Sequence, residues 1–132
     1  MSQEIIHVYL MPGMAASPLI FENIKLPESQ FKIHYLEWFL PKENEQLCDY
    51  ALRMTKKIQH NNPVLLGVSF GGILVQEMCK HIAVNKLIIV SSVKSKNELP
   101  LKMQLAKSTG AYKLVPTQLA SKIEVFEKYA FG

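Results

Sequence analysis

Aspartate is almost missing from this chain: Asp49 is the only one in 132 residues. Charge as a whole is scarce, with 20% charged residues against 48% hydrophobic ones. That balance excludes an intrinsically disordered chain and supplies enough apolar side chains for one packed core. No apolar run approaches the ~20 residues of a membrane-spanning helix. The opening MSQEIIHVYLMPGM has no basic stretch ahead of its apolar residues, so a secretory leader is not expected either. The 15 Lys and Arg and 11 Asp and Glu are spread along the chain rather than clustered, which removes nucleic acid from the expected partners. Neither GxGxxG nor GxxxxGK[ST] occurs, so the usual signatures of nucleotide phosphate binding are missing. The two cysteines, Cys48 and Cys79, lack a CxxC spacing and read as buried free thiols on helices. The expectation is a cytoplasmic chain with no membrane partner, no metal and no cofactor.

What the chain does have is a regular series of short, β-branched apolar runs. They lie at Ile5 to Leu10, Phe31 to Leu36, Val64 to Val68 and Leu87 to Val90. Their near-continuous apolarity suits strands covered on both faces. Helical patterns alternate with them. Ser17-Pro18 has the form of an N-cap followed by proline at the first helical position. Asn44 to Gln59 carries Leu47, Ala51, Met54 and Ile58 at helical spacing, and Gly72 to Lys80 carries Leu74, Val75 and Met78. The alternation β-α-β-α-β-α-β predicts an α/β fold: a parallel sheet with helices on both faces. After Val90 the pattern changes to a polar loop and two helical segments, Leu99 to Lys107 and Thr117 to Ala130, which read as cap-like helices. The expected division is a core over 1–95 and a helical cap or lid over 96–132.

The chemistry-bearing segment is Leu66-Gly67-Val68-Ser69-Phe70-Gly71-Gly72, a GxSxG pattern between an expected strand and an expected helix. A serine nucleophile on such a turn projects from a strained backbone, and side chains two residues to either side would strike neighbouring backbone. Glycine at 67 and 71 removes that obstacle. The serine then lies at the positive end of a helix, where backbone N–H groups face developing negative charge. The loop after the first strand, Met11-Pro12-Gly13-Met14, fits the same reaction. Acyl transfer needs two donors for the oxyanion of its tetrahedral intermediate: the N–H of the residue after the nucleophile, here Phe70, and one from an adjacent loop, here Met14 with Gly13 allowing the approach. Met11 and Trp38 are candidate lining of an apolar acyl pocket.

At this point the chain resembles the α/β-hydrolase superfamily, over roughly residues 4 to 95. The resemblance implies a strand order of 2-1-3-4 and a serine hydrolase acting on a small-molecule carboxylic ester or thioester through an acyl-serine. An acyltransferase with the same intermediate and a non-catalytic binding domain are the alternatives. Pro12-Gly13 stands where the family often has His-Gly, so the glycine role survives and any role of that histidine does not. The family's order of nucleophile, acid and histidine is not completed here. Past Ser69 there is no aspartate, and the only histidine, His81, lies at the far end of the following helix, about 18 Å away by helical rise. His7, His34 and His60 each precede the serine and are poorly placed as its base. Glu98, Glu124 and Glu127 have no histidine after them. The simplest expectation is the N-terminal part of a longer hydrolase, of low activity taken alone. Its fourth strand and cap helices would pair with a second copy as a homodimer.

Overall fold

A computed structural model of the protein describes residues 3–14 and 16–98. Four strands, β1 (Ile6–Met11), β2 (Phe31–Tyr35), β3 (Val64–Val68) and β4 (Lys86–Val90), form one sheet in the order β2-β1-β3-β4, every pair parallel. Two α-helices connect them, α1 (Leu47–Thr55) and α2 (Phe70–Met78), with 3-10 turns at Pro18–Phe21 and Lys96–Glu98. The arrangement is α/β, and the strand order is the one the resemblance implied. The expected helices over 99–107 and 117–130 lie outside the described residues. Among the described residues no helix is long and apolar enough to cross a membrane.

Alternation along the strands assigns each side chain to a face. Tyr9, Met11, Leu36 and Leu65 join Tyr50, Ala51 and Met54 of α1 and Phe70, Leu74, Val75 and Met78 of α2 in one core cluster. Val8, Leu10 and Val64 point the other way, where they pack with Phe21. The central strands β1 and β3 are therefore buried on both sides, and the edge strands β2 and β4 less so. Leu87 and Val90 on β4 are among the exposed large apolar residues.

Both α-helices share one face, which differs from the expected helices on both. The reason is topological. The steps β2 to β3 and β3 to β4 cross the sheet in the same direction, and right-handed connections then fall on the same side. The step β1 to β2 runs in the opposite direction and places its connection on the other side. That connection is only a 3-10 turn. Ser17 caps it, accepting from Leu19 N at 3.0 Å with Pro18 in the first turn, as its sequence suggested. The rest of the connection runs through turns, with Ile24 N bonded to Phe21 O and both Gln30 N and Phe31 N to Pro27 O, and forms no α-helix.

Helix α1 is also shorter than its apolar period. Asn44 has a φ of 57°, outside helical backbone, so the helix opens only after it. Between them Glu45 is buried, bonded to Arg53 at 2.6 Å and 2.8 Å and to Lys42 N at 2.8 Å. At the other end, three-residue bonds from Lys57 N to Met54 O and Ile58 N to Thr55 O tighten the last turn.

Candidate active site

The C-terminal end of β3 passes into α2 through a single residue, Ser69. Its φ of 53° and ψ of −122° lie outside the strand and helix regions. For a non-glycine residue such a conformation costs about 1–3 kcal/mol, and it persists only where the surroundings impose it. Here they do. Ser69 N donates to Val90 O at 2.9 Å, extending the β3–β4 ladder one residue past the strand. Ser69 O accepts from Gly72 N at 2.9 Å and from the Ser92 hydroxyl at 2.7 Å. The side chain is left on the exposed side of the turn.

The two motif glycines have backbone where a side chain would stand. A Cβ on Gly67 would lie 2.3 Å from Gly71 O, and one on Gly71 would lie 2.4 Å from Pro12 O and 2.6 Å from Met11 O. Close approach of strand, helix and the loop after β1 is therefore built into the turn. That loop reaches the serine itself: a Cβ on Gly13 would be 3.5 Å from Ser69 Cβ.

Trp38 holds the loop in place. Its indole N–H donates to Pro12 O at 3.1 Å and to Gly13 O at 3.0 Å, and its ring stacks on Phe70 with centroids 5.5 Å apart. Gly13 O also accepts from Ala16 N at 3.0 Å. In a trans peptide the C=O and N–H point oppositely. With Gly13 C=O turned to the indole, Met14 N–H faces away from it. Phe70 opens α2, so its N–H stands in the first turn beside Ser69. The sequence offered Trp38 only as pocket lining; the strut it makes between two loops depends on a 25-residue separation that no local pattern discloses. Met11, the other candidate lining residue, is fully buried in the core cluster beneath the helices and presents no surface to solvent.

None of the four histidines is placed as a partner of Ser69. His81 follows the end of α2, with its N–H bonded back to Met78 O. His7, His34 and His60 instead gather with one another beside β1. By register His7 stands level with the residue before β3 and Ser69 is six residues further along, about 20 Å at the strand's rise. Burial holds His7 and His34 below the ordinary imidazole value, reinforced by His60 and, for His34, by His7. Glu98 is exposed and accepts from Lys94 N at 2.8 Å, while Glu124 and Glu127 lie outside the described residues. Both cysteines are free. Cys48 is exposed on α1, contrary to the buried thiol expected, because it lies in the first turn at the margin of the buried face; Cys79 is half-buried, and burial pushes its thiol pKa up. Comparison with protein-family models and with curated proteins finds no match for the chain.

Proposed function

We propose that this chain carries the nucleophile and oxyanion loop of an α/β-hydrolase-type serine hydrolase, cleaving a carboxylic ester or thioester with a small apolar acyl group. The observation that carries the reading is Ser69 itself: an exposed hydroxyl on a backbone at φ 53°, between a buried strand and a helix, with the Gly13 loop in contact. A glycine would relieve that backbone, so a serine kept there in spite of the cost supports a role for its hydroxyl. In the proposed reaction Ser69 Oγ attacks the acyl carbonyl and passes its proton to a base. The Phe70 and Met14 N–H groups stabilise the oxyanion, the alcohol or thiol leaves, and water releases the acid. The base is not among the described residues.

That last point favours one rival, a binding domain that keeps the turn without the reaction. A fluorophosphonate probe separates the two. On the full-length protein, covalent labelling that disappears in Ser69→Ala is the expected result. Absence of labelling, or labelling undiminished in Ser69→Ala, would leave the binding domain as the better reading.

A further inference from the structure

At the end of β1 remote from Ser69, three imidazoles share one patch. His7 and Tyr9 alternate on β1, His34 stands on β2 in register with Tyr9, and His60 arrives on the segment between α1 and β3. Each ring offers one nitrogen, and the three nitrogens lie within 4.8 Å of one another. His7 Nδ1 and His34 Nε2 are 2.8 Å apart, the His7 and His60 rings stack at 3.4 Å, and all three are half-buried.

We infer that His7, His34 and His60 form a binding site for a borderline divalent transition-metal ion of the zinc type. Three neutral imidazoles are a donor set that suits Zn2+, Cu2+ or Ni2+ and not the oxygen-seeking Ca2+ or Mg2+. Tetrahedral bonds of about 2.0–2.1 Å place ligand nitrogens about 3.3 Å apart, so modest rotation of rings already in contact completes the set. The proton now shared by His7 and His34 moves to another ring nitrogen as the tautomer changes, leaving lone pairs for the ion.

The surroundings fit this use. The Tyr9 hydroxyl lies 2.6 Å from His60 Nδ1 and accepts from Gln59 N at 3.1 Å, which fixes the ring in the manner metal-bound histidines are commonly fixed. The positioning elements are two paired strands, a rigid base for first ligands. An open groove lined by Tyr9, His34, Trp38 and Gln59 gives access from solvent.

The test is titration of the tag-free, full-length protein with Zn2+, read by calorimetry, and with Co2+, read by visible absorption. Saturable binding of a single Zn2+, a Co2+ spectrum of tetrahedral nitrogen coordination, and affinity weakened about tenfold or more in His34→Gln and His60→Gln support the site. His81→Gln, outside the cluster, is expected to bind as wild type does. Should a cluster variant fail to fold, the Co2+ spectrum of the wild-type protein decides alone. Binding unchanged in folded His34→Gln and His60→Gln, or no Co2+ band in the wild type, overturns the proposal and leaves the cluster as packing.

Discussion

Substituting Gly71 and Gly13 by alanine separates two roles that the glycines around Ser69 play. A methyl at Gly71 would meet Pro12 O at 2.4 Å and Met11 O at 2.6 Å, nearly an ångström inside ordinary contact, and both obstacles are backbone. Neither can yield by rotating a side chain, and the loop they belong to is held by the Trp38 indole. Overpacking against rigid neighbours costs up to about 3 kcal/mol, and Gly71→Ala belongs at that upper end. At about 4 °C per kcal/mol for a chain of this size, the melting temperature should fall by about 12 °C. Gly13 gives the opposite result. Its added methyl would stand 3.5 Å from Ser69 Cβ and 3.6 Å from Val68 O, which is ordinary contact, and its φ is not left-handed. Restricting the unfolded chain then stabilises by up to about 1 kcal/mol, so the melting temperature should hold or rise. The same methyl crowds the approach to Ser69, so fluorophosphonate labelling should slow although the fold is intact. Thermal denaturation followed by circular dichroism reads the first effect and gel-based labelling the second. A Gly71→Ala variant that melts with wild type, or a Gly13→Ala variant that loses as much as Gly71→Ala, would refute the packing argument.

Two further outcomes follow from side chains that tie the loops down. Trp38→Phe keeps the ring on Phe70 but removes the donor to Pro12 O and Gly13 O; it should cost about 1–2 kcal/mol in urea denaturation and slow labelling of Ser69, and labelling at the wild-type rate would remove Trp38 as a positioning residue. Glu45→Gln breaks a charge-assisted pair with Arg53 and should cost about 1.5–3 kcal/mol at neutral pH. The Arg53 guanidinium holds the Glu45 carboxyl below the usual carboxylate range against the opposing effect of burial, so the folded state releases its proton more readily than the unfolded state. The stabilisation is therefore present above the ordinary glutamate range and is lost as pH falls through the depressed value. The gap between wild type and Glu45→Gln should close below about pH 4, and a gap constant with pH would count against this assignment.

The strands were readable because burial on both faces makes them continuous apolar runs: Val64 to Val68 coincides with β3 to the residue. The serine turn was readable because its requirements are local, confined to Gly67, Ser69 and Gly71 within five positions. Where the sequence misled, the deciding contacts were distant. Helix α1 is cut short at its start by the backbone of Asn44 and at its end by the tightened turn after Met54, neither of which an apolar period registers. The helix expected after Ser17 is one 3-10 turn, followed by turns closed on Phe21 O and Pro27 O rather than by further helix. His7, His34 and His60 were weighed singly as bases for Ser69, and their assembly comes from parallel register and a 26-residue separation between His34 and His60. A usable signal was present: His7 and Tyr9 alternate on one strand, and the run beside it carries His34.

The central claim is that Ser69 Oγ is presented to take an acyl group. The most direct measurement is the intact mass of the full-length protein quenched during reaction with a p-nitrophenyl ester of a short fatty acid, followed by peptide mapping. The account expects an adduct of one acyl group on the peptide that contains Ser69, and none in Ser69→Ala. An unmodified Ser69 during ongoing ester turnover, or an adduct mapped to another residue, would contradict it.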